Sequence, residues 1–448
     1  MIRSSRSFLS ALIWSLAAWI LVMQLYMAFF PPQLVLFDDP RSHRRGGGSF
    51  VRTEERMMRS LGGGEGRYEN LTMLEKEEIF KASSARNVSD FPDIGLVLDP
   101  VNAPAQDRNF FFPGRHWLDS SGNSIQAHGG GILYVPSTGI FYWYGENKDG
   151  PTYYAPTEYE SLARVDLIGV SCYSSKDLWL WKYEGLVLEG DKEDESSDLY
   201  YKNVLERPKV IYNERSQQYV MWLHIDSANY TKASLGVAVS SRPEGPFEFL
   251  GSKQPHAFES RDMTVFKDED GTAYVVYSSE GNSALHITPL QDDYLEFRNV
   301  MSRVFVDQHR EAPAVFKHRG IYYMVTSDCT GWAPNTALVH VAENMLGPWE
   351  TAGNPCVGGT SWFRSTTFFS QGSFVLPLPG LPNTFLFMAD RWNSTELRHS
   401  RYVWLPLTVD GPVDEPVEGL FEFPFWWRVS IRWYSRWKLP VDWEKNKP

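Results

Sequence analysis

One unit recurs along this chain. A short apolar strand opens on a polar residue, turns tightly, and returns as a strand alternating aromatic and aliphatic residues. The clearest copy runs Arg310-Glu311-Ala312-Pro313-Ala314-Val315-Phe316-Lys317, turns at His318-Arg319-Gly320, and returns as Ile321-Tyr322-Tyr323-Met324-Val325. β-Branched and aromatic runs on either side of a Gly-containing turn form a β-hairpin. The pattern also opens at Asp262 and returns at residues 273–277, opens at Glu206 and returns at 218–222, and opens at His128 and returns at 141–146. A looser copy runs from Thr366 to Gln371, with its partner at 384–388. The units start near 128, 206, 262, 311 and 366, spaced by 78, 56, 49 and 55 residues. Weaker second hairpins end in Gly245-Pro246-Phe247-Glu248 and Gly347-Pro348-Trp349-Glu350. Four short strands in each such period make a propeller blade. The expected fold is therefore all-β, a five-bladed β-propeller over residues 105–440. The long first interval implies an insertion, placed at 147–165.

In a propeller the first strand of each blade lines the axis, so the residues that open these strands converge at one mouth. Here they are His128, Glu206, Asp262, Glu311 and Gln371. A charge at the start of a buried strand is costly unless it has a use. A single acid there is ordinarily a solvated or capping group. Three at equivalent positions point to acid–base chemistry or to metal binding.

Composition narrows the classes. The net charge of −12 provides no basic surface for nucleic acid. Aromatic residues make up 15% of the chain, which suits a β-sheet protein and sugar stacking alike. The three cysteines, Cys172, Cys329 and Cys356, have no metal-ligand spacing. They leave open a Cys329–Cys356 bridge or free buried thiols. Neither a metal nor a cofactor is expected. Asp268-Glu269-Asp270 is spelled like the metal motif of a sugar-nucleotide transferase, but it sits in a hairpin turn before Gly271, where turn chemistry explains it.

Residues 8–30 form a run of 23 without a charge, preceded by Arg3 and Arg6. About 20 apolar residues span a bilayer. The run exceeds the core of a cleaved signal peptide, and its flanking charge predicts a single-pass type II anchor with residues 1–7 in the cytosol. Residues 31–104 read as a lumenal stem, rich in arginine and interrupted by Gly46-Gly47-Gly48 and Gly62-Gly63-Gly64. Four glycosylation sequons, at Asn70, Asn87, Asn229 and Asn393, agree with a secretory-pathway location. Residues 421–443, dense in aromatic side chains, are expected to form a closing strand or cover the propeller's side, with 441–448 as a tail.

At the strand-opening acids the chain resembles glycoside hydrolase family 43, over roughly residues 105–440. Asp262, within SRDMTVFKDEDGTAY, matches the Asp that tunes the acid, and Glu311, within REAPAVFKHRGIYY, matches the general acid. The first-blade position of the usual catalytic base instead reads Ile125-Gln126-Ala127-His128-Gly129-Gly130-Gly131. That departure, with YWYGE at 142–146, ERPKV at 206–210 and Gln371 on the fifth blade, is similar to the exo-β-1,3-galactanase branch. The branch includes membrane-anchored plant Golgi enzymes that trim the β-1,3-galactan backbone of arabinogalactan proteins.

The resemblance implies an inverting exo-β-1,3-galactosidase of the Golgi membrane, with a β-1,3-galactan or arabinogalactan glycan as substrate. Glu311 is then the acid, Asp262 its modulator and Gln371 the residue that positions water. Glu206 and Glu146 are carboxylates that hold sugar hydroxyls or take the base role. Tyr144, Trp332 and Trp392 are stacking candidates, and His128 and Arg391 further substrate contacts. The alternatives are an arabinosidase or xylosidase, a glycan-binding propeller without turnover, and a Golgi glycosyltransferase.

Overall fold

The computed structural model describes residues 96–156, 161–412, 427–440 and 443. The expected cytosolic tail, anchor, most of the stem, Asn70 and Asn87 lie outside the described residues. Among the described residues no helix is long and apolar enough to cross a membrane.

Five antiparallel sheets make a five-bladed propeller. Blade one consists of His128–Val135, Ile140–Glu146, Gly169–Ser175 and Lys182–Glu189. Blade two is Val204–Asn213, Gln218–Asp226, Ser234–Ser240 and Glu248–Lys253. Blade three is Met263–Lys267, Ala273–Ser279, Ala284–Pro289 and Ser302–Val304. Blade four is Arg310–His318, Ile321–Asp328, Leu338–Ala342 and Glu350–Gly353. Blade five runs outward through Gln371–Pro377, Thr384–Arg391, Leu405–Pro412 and Trp427–Arg432, and Cys356–Val357 pairs in parallel with its outer edge. The innermost strands pack one on the next around the ring, and that of blade five packs on that of blade one.

Blades stack face to face, so their inner strands are buried on both sides. Their sequences accordingly read as near-continuous apolar runs rather than strict alternation. The seam between blades five and one is aromatic. Trp143 is almost fully buried, with ring centroids 4.6 Å from Trp404, 4.7 Å from Tyr402 and 5.3 Å from Trp181. Phe111, before blade one, stacks on Trp437 at 4.3 Å, which ties the two ends of the domain together. Much of the aromatic content is therefore core. The expected closing strand is Trp427–Arg432.

Several boundaries differ from expectation. Val97–Leu98 pairs in parallel with His116–Trp117, and Leu98 and Ala103 are buried, so packing begins before residue 105. Trp443 packs on Phe141 and donates to the Pro379 carbonyl at 2.7 Å, inside the stretch expected as a tail. In blade five the inner strand starts at Gln371, not at Thr366. A short helix, Ser361–Ser365, is followed by left-handed backbone at Thr367, Phe368 and Phe369, which cannot belong to a strand. The insertion in blade one is a hairpin of its own, Tyr153–Pro156 with Ser161–Arg164. The Cys329–Cys356 bridge does not form: Cys356 lies on the outer edge of blade five, Cys329 faces the central pocket, and all three thiols are free.

Candidate active site

Glu206, Asp262, Glu311 and Gln371 all sit at or beside the start of an inner strand. Glu146 ends the second strand of blade one, which runs antiparallel and so reaches the same mouth. Together they line a cavity of about 320 Å³, with Trp332 and Trp392 in its wall. That volume is near the lower end of the usual range for small-molecule sites.

Glu311 is placed by irregular backbone. Its strand pairs in register at Glu311 and resumes only at Ala314, with Ala312 at φ 49° between. This bulge turns the Ala312 N–H onto Asp262, 3.1 Å from Oδ2, and sets Glu311 beside Asp262. Burial, then the nearby Asp262 charge, push the Glu311 carboxyl up to about 8, against the pull of Arg207. Glu311 therefore holds a proton at neutral pH, as a general acid must.

Gln371 is fully engaged. Its Nε2 donates to Glu311 Oε1 at 2.9 Å and to Ser327 Oγ at 3.0 Å. Its Oε1 accepts from Arg207 Nη2 at 2.7 Å and Trp392 Nε1 at 3.0 Å. All four hydrogen-bonding positions of the amide are used. Gln371 thus stands against the acid, holding it and Trp392 in place.

Arg207 escapes a reading based on strand alternation. It follows Glu206, and neighbours on a regular strand face opposite ways. At φ 57° Arg207 breaks that rule and enters the same pocket. Its guanidinium pairs with Asp262 through Nε at 3.0 Å and Nη2 at 2.8 Å. Its Nη1 donates to the Gly372 carbonyl at 3.3 Å, and its backbone N–H to Glu146 Oε1 at 3.0 Å. Regular alternation holds for Arg310, which turns away to Thr326 and Thr336. Arg261 reaches the pocket wall but bonds the Tyr230 carbonyl and Glu259 instead of Asp262.

The two other carboxylates differ from Glu311 and from each other. Glu146 pairs with Lys148 at 2.6 Å; burial raises it, with the Glu206 charge adding to that against Lys148. For Glu206 burial favours the neutral form, but the bond from His224, the Lys148 charge and the Tyr230 hydroxyl outweigh it and hold the carboxyl below its ordinary range. His224, Tyr230 and Arg207 are the site residues that strand-opening positions do not reveal. The weak signal for them is nearness to Glu206 in the sequence: Arg207 follows it, His224 faces it across the hairpin, and Tyr230 lies in the loop after that hairpin.

The glycines of Ala127-His128-Gly129-Gly130-Gly131 have a steric cause. Gly129 has φ 60°, and a Cβ there would lie 2.3 Å from Glu146 Oε1. One on Gly130 would lie 1.7 Å from the Tyr144 carbonyl. Glycine lets blade one press against its own second strand where Glu146 enters the pocket.

Three expected substrate contacts lie elsewhere. His128 is fully buried, bonded to Asp390 at 2.8 Å and stacked on Tyr402 at 4.8 Å, because the bulge after it turns the ring into the blade one–five seam. Tyr144 is buried between blades one and two and donates to the Pro243 carbonyl. Arg391 clamps the left-handed turn through the Phe368 and Phe369 carbonyls. Trp332 and Trp392 do line the cavity, edge to face at 4.9 Å. Trp332 is held by its bond to the Ala163 carbonyl of the inserted hairpin. Among the described residues no group of three or more His, Cys, Asp or Glu side chains is arranged to hold a metal ion. Asn229 is exposed on a turn, whereas Asn393 is half-buried and caps the backbone of Glu396.

Residues 144–373 match the model of glycosyl hydrolases family 43. No curated protein gives a match. Among solved structures, a family 43 β-1,3-galactosidase with galactodeoxynojirimycin is 37% identical over 73% of this chain and 100% of its own, at a TM-score of 0.64. An exo-β-1,3-galactanase from Phanerochaete chrysosporium, solved with β-1,3-galactotriose, is 34% identical over 75% of this chain and 70% of its own, at 0.61. One from Clostridium thermocellum is 32% identical over 74% and 67%, also at 0.61.

Arg207→Lys keeps the charge but not the two-pronged bond to Asp262. It is expected to lower kcat/KM for an aryl β-galactoside roughly a hundredfold with the circular dichroism spectrum unchanged. Wild-type kcat/KM contradicts this role.

Proposed function

The chain belongs to glycosyl hydrolases family 43, and on that footing we propose that it is an exo-acting β-1,3-galactosidase that removes terminal galactose from a β-1,3-galactan. The observation that carries the assignment is the opposed surroundings of two acids in one cavity, Glu311 beside the Asp262 carboxylate and Glu206 bonded to His224 and Tyr230. Glu311 is held protonated and Glu206 ionised. Galactose as the sugar rests on the similar structures, which are a β-1,3-galactosidase and exo-β-1,3-galactanases.

In the proposed cycle Glu311 protonates the glycosidic oxygen while water attacks the anomeric carbon from the opposite face. Asp262, fixed by Arg207, raises the acid's affinity for its proton. Gln371 holds the acid. Its amide bonds Glu311 directly, whereas an inverting pair flanks the sugar some 6.5–9.5 Å apart. The proton acceptor is therefore assigned to Glu206, which has the charge for it. Trp332 and Trp392 supply flat apolar wall for the sugar ring.

The uncharged run at 8–30 and the arginines before it support a Golgi-type membrane anchor with this domain in the lumen. In sealed microsomes the domain is expected to resist protease and to lose a glycan-dependent mobility shift in Asn229→Gln. Digestion without detergent contradicts a lumenal domain.

Glu311→Gln, nearly isosteric, is expected to lower kcat on β-1,3-galactobiose roughly 10²–10⁴-fold. Because Glu311 acts in its protonated form, wild-type activity is expected to fall as pH rises through about 8. Unchanged galactose release by the variant removes Glu311 from the acid role. No release by the wild type leaves a binding propeller.

A further inference from the structure

Behind Glu206 lies a buried imidazole. His224 is directly opposite Glu206 across the first hairpin of blade two, and a bulge between Trp222 and His224 aims its ring at that carboxylate. Asp226, two residues on, shares the same face of the strand. His224 Nδ1 is 3.2 Å from Glu206 Oε2, and Nε2 is 3.0 Å from Asp226 Oδ2. His224 is 1% exposed and Asp226 fully buried.

A neutral imidazole has one N–H and one lone pair. With a carboxylate at each nitrogen, the lone pair would face an oxygen anion, so either the ring is charged or one carboxyl is protonated. Asp226 is not the protonated partner. Its Oδ1 accepts three backbone N–H groups, from Ser227 at 2.9 Å, Lys232 at 2.8 Å and Ala233 at 2.9 Å. Three such donors favour the anion. Arg261 Nη1, 4.0 Å from Asp226 Oδ2, adds to this. Glu206 in turn accepts the Tyr230 hydroxyl on Oε1 at 2.8 Å and feels the Lys148 charge. The groups facing the ring are thus Glu206, Asp226 and the Tyr230 side chain, with Arg261 behind Asp226, and Lys148 with its partner Glu146 beyond Glu206.

We infer that His224, clamped between Glu206 and Asp226, is a positioning residue that stays positively charged and keeps Glu206 ionised and turned into the pocket. The inference rests on the reading of Glu206 as the proton acceptor. Each Glu206 oxygen has one protein donor, and its remaining lone pairs are left for the cavity. Whatever Glu206 meets there, water or a sugar hydroxyl, must donate to it. Asp226 orients the ring and balances its charge, in the way a buried Asp steadies a catalytic histidine. The bonds to Asp226 and Glu206 outweigh burial and raise the imidazole to about 9.

The test uses the full-length, detergent-solubilised protein and an aryl β-galactoside. In the wild type the Glu206 carboxyl lies below its ordinary range, so kcat/KM is expected to stay level as pH falls from 6 to about 4. In His224→Gln the carboxyl loses its cation, and kcat/KM is expected to fall below roughly pH 5, with a further loss of about tenfold at neutral pH. A variant profile parallel to wild type at low pH overturns the inference. A readout independent of the variant's folding is the ring-nitrogen spectrum of histidine-labelled wild type. His224 is expected as imidazolium at pH 7, titrating near 9; a neutral ring at pH 7 also overturns the inference. Glu206→Gln separates the two claims. If that variant turns over normally, the acceptor reading itself fails. If it is inactive while His224→Gln keeps the wild-type acid profile, only the role of His224 fails.

Discussion

The pairing of Arg207 with Asp262 is the contact on which the pocket depends. Arg207 belongs to blade two, yet it bonds blade three through Asp262, blade five through Gln371 and Gly372, and blade one through Glu146. The guanidinium is almost completely buried, and removing one partner of such a pair leaves an uncompensated charge at a cost of about 3–5 kcal/mol. Four of the five blades are thereby set relative to one another at the mouth where the acids converge. The left-handed backbone at Arg207 is a local strain of about 1–3 kcal/mol, of the kind concentrated at functional sites.

From that frame follows the division of charge. Glu311 sits beside Asp262 with an amide for support, and burial leaves it protonated. Glu206 sits two blades away, beside a histidine and a tyrosine that hold it ionised. Environments that push two carboxyls apart in this way suit them to the proposed roles of donor and acceptor without any difference in residue type. The aromatic seam between blades one and five closes the ring that brings these acids to one mouth.

The hairpin repeat made the fold legible, because two short strands of apolar and aromatic residues around a tight turn recur in every blade. Asp262 and Glu311 were legible for the same reason: equal positions in equal units. The misses share a different cause. Arg207, the Thr367–Phe369 turn and the bulge after His128 all depend on backbone that departs from regular strand geometry, and alternation misassigns what points where. Arg207 therefore entered the pocket unannounced, and His128 left it. Tyr144 and Arg391 were drawn toward the site by their neighbours Glu146 and Trp392, yet they serve blade packing and a turn. His224 lay out of sight because its function arises from a cross-strand neighbour and not from a motif.

The claim that joins these parts is that this pocket hydrolyses a terminal β-1,3-galactosyl bond with acid and acceptor on opposite faces. Proton NMR of the first turnovers on β-1,3-galactotriose tests it most directly. The account predicts free galactose appearing first as the α-anomer, with β-1,3-galactobiose as the other product. Initial release of the β-anomer, or cleavage that yields no free galactose, contradicts it.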